Sequence, residues 1–96
     1  MMLSEDEVYG MALEKFGPEK QIIKAVEELS ELQKELCKQA LGQGNKVNLL
    51  EEFADVEIML GQMKIALNLN FYELSNAKSR KLCRLIKVLD ALNSDQ

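Results

Sequence analysis

The sequence predicts an all-α fold of four helices, and three observations carry that expectation. The 96 residues include one proline, five glycines and only 5% aromatic residues, a composition that suits helices better than a β-sandwich. Helix starts are marked: Ser4 is followed by Glu7, Asn48 by Glu51 and Asn70 by Glu73, each a cap residue with a glutamate three positions on. Between these marks the apolar residues recur at helical spacing.

The first helix is expected over about 5–16 and ends where Gly17-Pro18 breaks the chain. Pro18 suits the first turn of the second helix, expected over about 18–40, because a first-turn amide has no helical partner to lose. "LGQGN" (41–45) reads as a loop, and a third helix follows over about 49–67. "NLN" (68–70) connects it to a fourth over about 71–92. There is no repeat and no linker, so residues 1–96 read as a single domain. A hydrophobic fraction of 47% with 29% charge is globular rather than disordered. So small a helical domain is expected to complete its core by oligomerising.

Charge and composition exclude several functions. With 12 basic against 16 acidic residues, the net charge of −4 argues against a nucleic-acid polymer as partner. Cys37 and Cys83 form no CxxC pair and sit within helical patterns, as reduced thiols do in a cytoplasmic protein. Neither a signal-peptide pattern nor an apolar run near 18 residues is present, so no membrane partner is expected. Histidine is absent, which removes imidazole ligands and histidine general bases.

The acidic residues are patterned. "VEELSEL" (26–32) places Glu27, Glu28 and Glu31 together, where they repel one another. In the second helix Ile22, Ala25, Val26, Leu29, Leu32 and Leu36 form an apolar stripe. Glu28 lies roughly 80° from its centre and Glu31 roughly 140°. In the third, Leu49, Phe53, Val56, Leu60, Met63 and Leu67 form the stripe. Glu52 and Asp55 lie roughly 70° and 130° off, in the same rotational sense. A short loop makes the two helices antiparallel neighbours, and reversal mirrors the wheel, so the four acids fall on one side of the seam. The midpoints of 28 and 55 and of 31 and 52 both fall at Leu41-Gly42, which sets Glu28 opposite Asp55 and Glu31 opposite Glu52. Any one of these glutamates alone would read as a solvated surface residue. Four converging carboxylates instead call for a hard cation, Mg²⁺ or Mn²⁺. A ferritin-like di-iron site would need histidine, and the EF-hand spacing is missing. Glu51 and Glu73 read as capping residues, and Glu14 and Glu35 as solvated positions.

Glu27-Glu28-x-x-Glu31, then 20 residues, then Glu52-x-x-Asp55 resembles the EExxE…ExxD signature of the all-α nucleoside triphosphate pyrophosphohydrolases, the MazG-like superfamily. "KFGPEKQIIKAVEELSELQKELCK" and "LLEEFADVEIMLGQMK" look like its small single-domain members, and the likeness runs over about residues 13–89. The resemblance implies cleavage of an NTP or dNTP between the α- and β-phosphorus, yielding monophosphate and pyrophosphate. It implies a homo-oligomer, dimer or tetramer, with sites near or across a subunit interface. By motif match, Glu28, Glu31, Glu52 and Asp55 are metal ligands, and Glu27 holds a supporting position. Mg²⁺ would bridge phosphate oxygens, neutralise developing charge and lower the pKa of a water. Without histidine, the base is a carboxylate or a metal-bound hydroxide, and Glu31 or Glu27 could orient that water. The rival readings are a catalytically inactive helical module of the same fold and a carboxylate metal buffer.

A phosphate tail also needs cations. Lys78 falls inside the apolar stripe of Phe71, Leu74, Leu82, Leu85 and Leu89, where it either snorkels or reaches phosphate. Lys24 can pair with Glu28 at i+4 or bind phosphate, and Arg84 is a further phosphate candidate. Gln21, two turns before Glu28 on the same flank, is either a surface amide or a nucleotide contact. Phe16 and Tyr9 could stack on a base, with core packing favoured for Phe16.

Overall fold

The computed structural model describes residues 2–94, and they form four helices. These are α1 (Glu5–Phe16), α2 (Pro18–Ala40), α3 (Lys46–Ala66) and α4 (Phe71–Ser94). No strand occurs among the described residues, and no helix is long and apolar enough to cross a membrane. The start of α1 is a complete capping box: Ser4 Oγ accepts from the Glu7 amide, and the Glu7 carboxylate accepts from the Ser4 amide. Gly17, at φ 89°, joins α1 to α2 in a conformation that a side chain would strain, and Pro18 opens α2 as expected. Asn70 Oδ1 accepts from the Tyr72 amide at 2.7 Å and opens α4.

The start of α3 differs from its sequence expectation. Its cap is Asn45, whose Oδ1 accepts from the amides of Val47 and Asn48 at 2.9 and 3.2 Å. Asn48 therefore lies inside the first turn, and Glu51 is not a capping-box residue. Both asparagines are competent caps. The earlier one wins because it lengthens the helix by a turn and shortens the loop. At the other end, Asn68 takes φ 54°, a left-handed conformation asparagine tolerates, and closes α3.

The hairpin of α2 and α3 is the body of the fold, and α1 packs mainly on α3 and less on α2. The seam does not follow the centres of the predicted apolar stripes. It follows Gln21, Ala25, Glu28, Leu32 and Glu35 on α2, which recur at alternating steps of four and three. On α3 it follows Glu52, Val56, Met59, Met63 and Ala66. Glu35, expected to be solvated, is buried, whereas Val26 is 61% exposed and Phe53 43% exposed. Each apolar arc is wider than one partner helix can cover, so the hairpin closes on its acidic edge and leaves the other edge outside. The buried apolar core is accordingly small: Ala25, Val56, Met59 and Met63.

One close approach fixes α1 on α3. A Cβ at Gly61 would run into the ring of Tyr9, so glycine is what lets the two helices meet there. Gly10 in α1, by contrast, has open space around it. Gly61→Val is expected to cost about 1–3 kcal/mol through overpacking. Gly10→Ala is expected to stabilise the chain by up to about 1 kcal/mol through helix propensity. Thermal melts of the two variants followed by circular dichroism check the opposite signs.

Candidate metal centre

The seam brings three carboxylates together. Glu28 from α2 and Glu52 and Asp55 from α3 each offer an oxygen, and the three oxygens lie within 4.8 Å of one another. Glu28 and Glu52 are half-buried and Asp55 is exposed at the rim. Glu28 holds its place because it occupies a seam position of α2, and Glu52 because it occupies one of α3. Asp55, three residues on, stands beside Glu52 on the same face.

The electrostatics of this trio are unfavourable without a cation. Burial, then the charges of Asp55, Glu28, Glu31 and Glu35, push the Glu52 carboxyl above its ordinary pKa. Burial, then the charge and hydrogen-bonding contact of Glu28 and the charge of Glu51, push Asp55 up as well, with Lys24 opposing. Lys24 Nζ contacts Glu28 at 3.2 Å, and that bond raises the lysine's own pKa. One oxygen of Glu52, Oε2, is buried without a hydrogen-bond partner, as is Oε2 of Glu35. Glu35 Oε1 accepts from Lys38 Nζ at 3.3 Å. A buried carboxylate oxygen with no donor is costly, and a divalent ion with oxygen preference is the ligand such a set fits.

Beside the trio lies a cavity of about 450 Å³. Gln21, Lys24, Glu28 and Asp55 line one part of it, and Phe16, Ile58 and Met59 an apolar part. At its floor Gln21 Nε2 donates to Gln62 Oε1 at 2.8 Å, a side-chain bond between two buried amides. A larger cavity of about 740 Å³ between α1, α3 and the start of α4 contains none of the three acids.

The expected site residues therefore separate into groups. Glu28, Glu52 and Asp55 converge, and Lys24 and Gln21 stand in the adjoining cavity. Glu31 remains exposed outside the trio, although its charge still reaches Glu52, and Glu28 takes the place opposite Glu52 that the wheel gave it. Glu27 is exposed, and its charge is felt at Lys24. Lys78 and Arg84 are exposed on α4, which packs against neither α2 nor α3 in its own chain. Phe16 is not a core residue but a cavity wall. Gln62 was missed, though its signal was present: the midpoint of 21 and 62 coincides with that of 28 and 55. A glutamine buried beside the seam residues Met59, Met63 and Ala66 is a polar residue in an apolar setting, and its antiparallel counterpart is Gln21.

A pH effect follows from the raised carboxyl pKa values. Their folded values lie above the unfolded ones, so ionisation of Glu52 and Asp55 opposes folding above the folded pKa. The metal-free chain is expected to gain this stability as pH falls through the raised values, with the gain complete below the ordinary carboxylate range of about 4. Glu52→Gln should melt higher than the parent at neutral pH in chelator, and should gain less from added Mg²⁺. Melting curves at about pH 7 and pH 5, with chelator or Mg²⁺, check both effects. A parent protein indifferent to Mg²⁺ would sink the metal assignment.

Compared with protein-family models, curated proteins and solved structures, the chain matches none.

Proposed function

We propose that the chain is a Mg²⁺-dependent nucleoside triphosphate pyrophosphohydrolase, acting as a homo-oligomer, dimer or tetramer. On this reading it cleaves an NTP or dNTP between the α- and β-phosphorus to give a monophosphate and pyrophosphate. The observation that supports it best is the convergence of Glu28, Glu52 and Asp55, with an unpartnered buried oxygen, beside a cavity of mixed polarity.

Each residue has a task suited to its place. Glu28, Glu52 and Asp55 would hold Mg²⁺ or Mn²⁺, with Glu31 at the exposed rim as a further donor. Bound there, the ion would neutralise phosphate charge and activate a water. Phe16, Ile58 and Met59 offer a base an apolar wall, and the Gln21–Gln62 amide pair offers it hydrogen bonds. Lys24, now paired with Glu28, can turn its ammonium to a phosphate without leaving the cavity wall. With no histidine in the chain, the nucleophile would be a metal-bound hydroxide or a water that a carboxylate deprotonates, and Glu27 and Glu31 both stand exposed to orient it. Lys78 and Arg84 reach a phosphate tail only from another subunit.

The test is a screen of canonical and modified nucleoside triphosphates with Mg²⁺ that separates pyrophosphate from orthophosphate. Equal amounts of monophosphate and pyrophosphate are expected. Orthophosphate with a diphosphate product would move cleavage to another bond, and no turnover of any nucleotide would leave a helical module of the same fold. Glu52→Gln and Asp55→Asn should each lower turnover by more than about a hundredfold while helicity is kept. Glu51→Gln, outside the trio and outside the cap, should leave turnover unchanged.

A further inference from the structure

The last helix has no place in its own chain. Over 24 residues α4 buries none, and it packs against no other helix among the described residues. Only Phe71 and Leu74, in its first turn, reach a cavity shared with α1 and α3. Yet its sequence is written for burial. Leu82, Leu85, Leu89 and Leu92 recur at steps of three and four, the seam pattern of a helix that lies along another. All four are exposed.

The surface of the whole chain shows how much is left uncovered. A folded monomer of 10.9 kDa exposes about 5,600 Å². This chain exposes 8070 Å², and its radius of gyration is 17.3 Å against about 12.5 Å for a compact domain of its length. The excess, about 2,500 Å² per chain, is what each subunit loses in a large obligate homodimer. The uncovered apolar surface lies in two places. One is the stripe of α4; the other is the outer edge of the hairpin, with Val26, Leu29 and Leu36 on α2 and Phe53 and Leu60 on α3.

Charge says how the two surfaces meet. From 71 to 94 the chain carries Lys78, Arg80, Lys81, Arg84 and Lys87 against Glu73 and Asp90, a balance of +3. Residues 1–70 carry seven basic and thirteen acidic side chains, a balance of −6, which is −2 once the seam acids Glu28, Glu35, Glu52 and Asp55 are set aside. Pairing α4 with α4 of another copy would set like charges together, whereas α4 on another copy's body sets opposite ones together.

We infer that α4 is an exchanged arm: it lies along the apolar outer edge of the α2–α3 hairpin of a second copy, and that copy's α4 returns the contact. This specifies the surface of the oligomer in the proposed function, but it needs no catalytic activity. A two-fold exchange of this kind closes on itself and covers both apolar surfaces at once.

The test uses the full chain, without nucleotide, and reads mass by light scattering. The parent protein is expected as a dimer or a multiple of it. Leu85→Asp with Leu89→Asp spoils the arm, and Val26→Asp with Leu29→Asp spoils the hairpin edge; each double variant alone is expected to be monomeric. Mixed in equal amounts they should recover a dimer, because one intact arm then meets one intact edge. A dimeric edge variant would mean arm-on-arm pairing, and a dimeric arm variant edge-on-edge pairing; either overturns the inference. As a check that does not depend on apolar positions, Lys81→Glu with Lys87→Glu should weaken the dimer at least tenfold at low salt. Unchanged association there would overturn it too, as would a monomeric parent that binds phosphatidylserine vesicles through the arm. A dimer without activity sinks only the catalytic reading, and an active monomer sinks only this one.

Discussion

Three carboxylates at the seam of a helix hairpin are the constraint on which the rest of the molecule depends. Glu28 and Glu52 occupy positions that would pack most simply with leucine, and Asp55 stands against them. Their mutual repulsion and partial burial raise the pKa of Glu52 and Asp55, so the arrangement opposes folding as long as nothing neutralises it. Lys24 answers part of the charge from the cavity side, and Glu52 Oε2 remains without a donor. An arrangement that weakens the fold and is nevertheless built into its central seam is what the proposed metal site would account for.

The same choice of seam explains the shape of the chain. Because α2 and α3 close on their acidic edge, their apolar arcs face outward, and among the described residues only Ala25, Val56, Met59 and Met63 are buried as a core. A core of four apolar side chains is a thin one for a chain of this length. The exchange inferred for the amphipathic, basic α4 would add to that core by covering the outer edges. Acids and apolar faces are thus linked through geometry: placing the acids inside the hairpin leaves Val26, Leu29, Phe53 and Leu60 exposed on its outer edge.

Much of this was legible in the sequence, for identifiable reasons. The Ser4–Glu7 box and Gly17-Pro18 set the borders of α1 and α2 because caps and breakers act locally. The start of α3 was misread because Asn45 and Asn48 are both competent caps, and local chemistry does not choose between them. Glu28 opposite Asp55 was legible from antiparallel heights and wheel angles alone. The seam itself was not, because an apolar stripe wide enough to face two neighbours does not say which edge its own chain will take. That ambiguity hid the burial of Glu35, the exposure of Val26 and the pairing of Gln21 with Gln62. Lys78 sits in an apolar stripe that the sequence alone leaves without a partner, and among the described residues α4 packs on no other helix.

The role proposed for the trio is to hold a divalent cation. Titration of metal-free protein with Mn²⁺, read by the paramagnetic resonance of the free ion, measures this directly and needs no substrate. Binding of Mn²⁺ that Mg²⁺ displaces, and that Glu28→Gln and Asp55→Asn each abolish, is the expected result. A chain that takes up no Mn²⁺ at millimolar concentration, or binds it equally well without Glu28 and Asp55, would contradict the claim.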